Sequence, residues 1–394
     1  MNPFSSVENS SGYVYYDLQI TNLANTVIRD DIVQLTFDEQ RSGAPIIDKA
    51  DDYDLSIVRF QCDSYSIPVY VAQIQPGGTD SNTMIHRIIF NYKNGTDTRI
   101  GKSILKWVPV DKTLSVPIPP SQTNGYQVDS KYYWCYDYDH VCKLVNTALE
   151  EAMDVLKQDA VANPALYPAG FDAVQAPFIS WNESSNTATL YTRADYFNTK
   201  NTPTALNPVI EIYMNETLYG MFNSFPINKK FPEGGSNNIP SYQIMIDNFN
   251  GAKTRQGLFN SETERFIVTP QAYSTISEFS PISSFVFISS TLPIISNQMS
   301  NPKLYENNNL IQLSRGSNNF ANIITDLSTD EQSYRGSLLY APSVYRWVSL
   351  TTSQPISQID IQVFLKTKIG NLVPFTLPSG GSCSMKLCFK RKQY

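Results

Sequence analysis

"IDIQVFLKTKIGNLVPF", residues Ile359 to Phe375, alternates in character: Ile359, Ile361, Val363, Leu365 and Ile369 fall on one face, and Asp360, Gln362, Lys366 and Lys368 share the other with Phe364. A period of two marks a β-strand with one face in a core and the other outside it. Gly370-Asn371 then turns the chain and Leu372 to Leu377 returns. "SMKLCFK" (Ser384 to Lys390) repeats the pattern, with Met385, Leu387 and Phe389 on one face and Ser384, Lys386, Cys388 and Lys390 on the other. The stretch therefore predicts the closing strands of an antiparallel sheet. Lys366 and Lys368 read as charges protecting a strand edge. Phe364 is the one large apolar group on the polar face, and is expected to meet a neighbour.

The same grammar extends outward from this point. "YVYYDLQI" (Tyr13 to Ile20), "DIVQLTF" (Asp31 to Phe37), "YDLSIVRFQC" (Tyr53 to Cys62), "VYVAQI" (Val69 to Ile74) and "MIHRIIFNY" (Met84 to Tyr92) are short strand patterns separated by Gly, Pro, Asn and Asp. Strands without intervening helices predict an all-β antiparallel sandwich or barrel. Asn94-Gly95 is a hairpin signal. The Pro-rich Val108 to Tyr126 reads as a crossover or domain boundary, and Ile227 to Ser241, with Gly234 to Asn238 at its centre, as an exposed loop. One helix interrupts the series, at about 139–160: Val141, Leu144, Val145, Ala148, Leu149, Ala152 and Leu156 recur at helical spacing, Asp139 is placed to cap the start, and Asn163-Pro164 ends it. Its expected place is over the edge or end of a sandwich.

Composition narrows the function. The 394 residues include 24 Tyr and 20 Phe but only 17% charged residues, a polar, aromatic mixture suited to pleated surfaces. Net charge is −6, so nothing global draws the chain to nucleic acid, and no specific nucleic-acid site is expected. The local exception is the basic C-terminal segment with Lys386, Lys390, Arg391 and Lys392, which reads first as a solvated end and second as an anion contact. Five cysteines are an odd number and no leader pattern precedes them, so folding in a reducing compartment without secretion is expected, with the sequons at Asn9, Asn94, Asn182 and Asn215 unused. No apolar run is long enough for a transmembrane segment.

Catalytic chemistry leaves little trace. The two histidines, His86 and His140, fit no metal-ligand spacing, and no nucleophile elbow, phosphate loop or dinucleotide fingerprint occurs. The densest polar cluster, "YWCYDYDHVC", offers Asp137, Asp139 and His140 as candidate metal ligands, but helix capping explains its aspartates more simply. Cys383 and Cys388 lack the spacing of zinc or redox pairs. No catalytic residue, cofactor-binding residue or cofactor is assigned. Trp181 and Trp347 are the candidate stacking platforms if the sandwich binds carbohydrate.

Four segments together, "YDLSIVRFQCDSYSIPVYVAQIQP", "YYWCYDYDHVCKLVNTALEEA", "YSTISEFSPISSFVFISSTLPI" and "PISQIDIQVFLKTKIGNLVPFTLPSGGSCSMKLCFKRK", resemble, in this order, the penton and minor capsid proteins of small double-stranded DNA viruses: virophages, polinton-like viruses and adintoviruses. The resemblance implies an antiparallel jelly-roll β-sandwich with an inserted or second β-rich domain. Residues 1–126 and 245–394 are expected to form the jelly-roll base and 127–244 an inserted upper region with the helix, the alternative being two tandem jelly rolls. It implies a non-enzymatic virion protein, a homopentameric vertex protein contacting the major capsid protein. The rival readings are a cement protein between capsomers and an attachment protein for a host receptor or glycan.

Overall fold

A computed structural model of the chain describes residues 12–23, 33–63, 67–75, 80–95, 97–110, 133–229, 241–247, 253–254, 265–295, 303–306, 309–312, 322–328, 337–368, 370, 372–377 and 379–393. The loop at Gly234 to Asn238, most of the Pro-rich stretch after Val108, and Asn9, Ile369 and Asn371 lie outside the described residues.

The chain divides into two compact units, one of residues 1–68 with 281–394 and one of residues 69–280. The first unit begins with β1 (Tyr13–Thr21), β2 (Thr36–Gln40) and β3 (Tyr53–Asp63). The second contains β4 (Thr83–Lys93), β5 (Thr98–Lys106), α1 (Tyr138–Ala162), β6 (Phe178–Asn182), β7 (Thr187–Arg193), β8 (Val209–Asn215), β9 (Ser241–Ile244) and β10 (Arg265–Pro270). The chain then returns to the first unit with β11 (Ile282–Ser289), β12 (Asn322–Ser328), β13 (Ser337–Tyr340), β14 (Gln358–Thr367) and β15 (Ser382–Arg391).

Among the described residues the first unit is built on two main sheets, with strands in the orders β1-β15-β3-β13 and β2-β14-β11-β12, all pairs antiparallel. If these eight strands are numbered along the chain, the orders are 1-8-3-6 and 2-7-4-5. That is the jelly roll, two interlocked Greek keys in which the last strand lies between the first and third. The sheets meet through Phe60 of β3, whose ring lies 5.4 Å from that of Phe285 and 5.0 Å from that of Phe287 on β11. A bulge makes this possible. Lys386 pairs with Arg59 and Leu387 with Ile57, so Val58 is the extra residue of β3. It keeps Leu55, Ile57, Phe60 and Cys62 all inward while Arg59 stays outside, as a strict alternation could not.

The opening stretch of the sequence is β14, the seventh jelly-roll strand, and Gly370, at φ 89°, takes the left-handed conformation that the turn after it requires. Its two faces differ from expectation. Phe364, expected to meet a neighbouring subunit, is only 7% exposed and joins Val286, Ile288 and Ile323 in an apolar cluster, with Leu372 packed against it. Asp360 is buried as well: its carboxylate accepts from Ser289 Oγ (2.5 Å), Ser290 N (2.9 Å), Thr291 N (3.1 Å) and the hydroxyls of Ser290 and Thr291. Burial pushes its pKa up, but the hydroxyls and the Ser290 N–H more than offset this and hold it below the usual carboxylate range. An Asp360→Ala variant leaves these donors unsatisfied and should lose about 3 kcal/mol in urea unfolding. Because the folded pKa is depressed, the carboxylate's contribution is fully present above the unfolded value and fades as pH falls towards the folded one.

The second unit holds one sheet in the order Ile227–Lys229, β9, β8, β4, β5 and another in the order Lys253–Thr254, β10, β7, β6. Neither order is that of a jelly roll. The expected boundaries near 126 and 244 lie instead at 68/69 and 280/281, because β4, which precedes the Pro-rich stretch and carries β5 on its other edge, pairs with β8, which follows the helix. The Asn94-Gly95 hairpin forms, with Gly95 at φ 103° and Asn94 N donating to Asp97 O.

Helix α1 starts one residue earlier than predicted and is capped by Asp137 rather than Asp139. The Asp137 carboxylate accepts from Asp139 N (3.0 Å), and Asp139 lies in the first turn. Apolar periodicity begins only at Val141 and cannot choose between two aspartates two residues apart. The helix lies across the face of the β4–β5 pair, not over a sandwich end, as Gly101 shows: a Cβ there would stand 2.1 Å from Ala152 O. On its other side the Asn146 side chain donates to Ile179 O (2.9 Å) and accepts from Ile179 N (2.7 Å), tying β6 to the helix.

Candidate assembly surfaces

The outer face of the β1-β15-β3 sheet is built from side chains directly opposed across strands. Tyr13, Tyr15 and Asp17 of β1 face Lys390, Cys388 and Lys386 of β15, which in turn face Asp54, Ser56 and Arg59 of β3. The rings of Tyr13 and Tyr15 stack at 6.4 Å, and Lys386 Nζ stands 5.9 Å from the centre of the Tyr15 ring. Asp17 lies between two cations, Arg59 at 3.0 Å and Lys386 at 3.2 Å. Further along, Lys390 lies over Trp347 at 5.6 Å and Tyr345 meets the same indole edge-on at 6.0 Å. Tyr15 is 50% exposed and Val344, beside Tyr345, 77%. The face is aromatic and cationic, its charges positioned by π-systems and one carboxylate.

These contacts account for most of the predicted basic end. Lys386 and Lys390 belong to the face just described. Lys392 turns inward along the sheet, donating to Asp51 O (2.8 Å) and Leu350 O (3.2 Å) and lying 3.9 Å from Asp54. Arg391 is exposed, with its backbone N–H on Gly12 O.

The predicted metal candidates are held by the start of α1. Asp137 is the cap. Burial, then the Asp137 charge, raise the pKa of Asp139. The His140 ring packs edge-on against Trp107 at 5.4 Å, and burial lowers its pKa. Among the described residues no three His, Cys, Asp or Glu side chains converge as a metal site would require. Trp181 stacks on Tyr138 at 4.6 Å. No helix of the described residues is long and apolar enough to cross a membrane.

His86 is a network residue that periodicity had left merely on a strand. Fully buried on β4, its Nε2 is hydrogen-bonded to Tyr70 OH (2.8 Å) and its Nδ1 to Thr217 Oγ1 (3.2 Å), and burial lowers its pKa to about 4. The unfolded chain binds this proton near 6.5 and the folded one does not. Stability should therefore fall as pH drops from about 6.5 towards 4, by about 3 kcal/mol for this group once the window is crossed. Urea midpoints at the two ends of the window should differ more for the native sequence than for His86→Gln; equal differences would remove His86 from the account.

Eight strands in jelly-roll order are an architecture of viral shells and lectins. The fold defines a jelly-roll β-sandwich with an aromatic and cationic face on one sheet. The comparisons decide which: the family model "Sputnik minor capsid protein V18/19" matches residues 14–391, and the chain belongs to that family. It is a capsid structural protein of a virus particle. A Sputnik virophage relative described as "Uncharacterized protein V18" is 29% identical over 160 residues, 39% of this chain and 90% of the relative. A chain in the cryo-EM structure of the Sputnik virophage superposes with TM-score 0.77 at 23% identity, covering 97% of this chain and 99% of that one. The mavirus penton protein superposes with TM-score 0.58 at 17% identity, covering 96% and 99%.

Proposed function

We propose that this chain is the vertex protein of its capsid, a homopentamer that closes each five-fold position beside the major capsid protein and acts without catalysis. The observation that carries the reading is the single jelly roll closed by both chain ends, with residues 69–280 set between its third and fourth strands. The jelly roll would be the base in the shell and the inserted unit the upper region. A ring of identical chains needs a heterologous interface, one patch of each protomer meeting a different patch of the next. The face of Tyr13, Tyr15, Trp347, Lys386 and Lys390 suits one half of that contact, since aromatic side chains are enriched in interfaces and Lys stems lie readily along rings. All five cysteines are free and buried, which supports folding in the reducing cytoplasm or nucleus of the host.

Native mass spectrometry of the purified chain tests this. A species of five copies is expected, and a double Tyr15→Glu, Lys390→Glu variant should lose it while keeping its circular dichroism. A strictly monomeric native chain at high concentration, or another copy number, rejects the pentamer. A glycan array addresses the attachment reading, which specific sugar binding by the isolated chain would favour.

A further inference from the structure

We infer that Cys62 and Cys383 are a dithiol pair that oxidises to a cross-strand disulfide, fastening the last strand of the jelly roll to the third. The two residues are direct partners in the β3–β15 register, and across the sheet they stand in a row with Ile20 of β1 and Leu338 of β13. Opposed residues of an antiparallel pair have Cα atoms about 4.5–5.5 Å apart, within the range of about 4.4–6.8 Å that a disulfide spans. Both side chains point to the same, inner face, and their thiols are in hydrogen-bonding contact. The other three cysteines have no such partner in register: Cys388 faces Tyr15 and Ser56, Cys135 faces Tyr70, and Cys142 is on α1.

Access is set by position. Cys62 is the next-to-last residue of β3 and Cys383 the second of β15, so the pair lies at the end of both strands, where opening of the last residues exposes the thiols without unfolding the sheet. Burial, and the neighbouring thiol, hold the Cys383 thiol well above its ordinary pKa, so reaction is slow at neutral pH. A low-molecular-weight disulfide such as oxidised glutathione is a sufficient oxidant. One cysteine loses its proton and attacks a glutathione sulfur, releasing one glutathione thiolate; the second, also deprotonated, attacks the resulting mixed disulfide and releases the other. The two protons end on the two glutathione thiols.

The test is incubation of the folded chain with oxidised glutathione in mildly alkaline buffer without denaturant, followed by intact mass, thiol counting and peptide mapping. The expected product has lost two hydrogens, its free thiols fall from the five of the reduced chain to three, the linked peptides carry Cys62 and Cys383, and its melting temperature rises until dithiothreitol reverses it. Cys383→Ser should show no hydrogen loss. If that variant does not fold, the peptide map of the unaltered chain decides alone. Five thiols retained after prolonged treatment, a mixed disulfide that never closes, or linkage through any other cysteine overturns the inference.

Discussion

A Phe60→Ala variant is expected to lose about 3–5 kcal/mol of stability, the cost of emptying a fully buried aromatic site. Phe60 has no exposed surface, and its ring bridges the sandwich, tilted against Phe285 and edge-on to Phe287. Phe285 in turn meets Phe375 edge-on at 5.5 Å, so the cavity would open beside three rings contributed by β11 and the segment after β14. Aromatic pairs of this geometry contribute beyond their buried area. Urea unfolding should show a lowered midpoint at unchanged slope, and Phe60→Leu a smaller loss. A Phe60→Ala midpoint equal to that of the native chain would mean that the two sheets do not pack through β3.

Gly101→Val should be comparably damaging by the opposite mechanism. The Cβ would be 2.1 Å from Ala152 O and 2.9 Å from Leu156 Cγ, and the first is helix backbone, which cannot swing aside. Helix α1 would have to lift from β5, parting Ser103 from Glu151, now 2.6 Å apart, and loosening the stripe of Val145, Leu149, Ala152 and Leu156. Overpacking of this kind typically costs about 1–3 kcal/mol, and more where backbone must move. Thermal unfolding followed at the helical band should shift downward by several degrees. Gly101→Ala should shift it in the same direction, since the clash begins at the first carbon.

What the sequence made legible follows from how locally each feature is encoded. Alternation in β14 and β15 reports one sheet face strand by strand, and the inward row of Met385, Leu387 and Phe389 is buried as read. The helix was equally plain, because its apolar stripe repeats for several turns. The burial of Phe364 and Asp360 was not, since alternation names two faces but not what covers the second. The clue lay elsewhere, in "FVFI" at Phe285 to Ile288, a continuous apolar run of the kind that marks a strand buried on both sides. The strand that Val286 and Ile288 share with Phe285 and Phe287 therefore carried the information that β14 lacked.

The unit boundaries were illegible for a different reason. Proline-rich composition marks a break in regular structure, not a change of partner, and β4 pairs with a strand more than a hundred residues later. Long-range pairing leaves no trace at the breakpoint. The hydrogen bonds that fix Asp360 likewise depend on a turn, Ser289 to Thr291, that only the β11–β14 register brings to it. The outer-face constellation was half visible: Lys386 and Lys390 drew notice as charge, whereas Tyr15, Trp347 and Asp17, which position them, come from distant strands and loops.

The vertex assignment is tested most directly by an icosahedrally averaged cryo-EM reconstruction of particles that contain this chain. The account predicts one jelly roll per chain, five around each five-fold axis, with the face of Tyr15, Trp347 and Lys390 buried against the adjacent copy. The same chain found between capsomers away from the five-fold axes, or at the vertices with that face open to solvent, would contradict it.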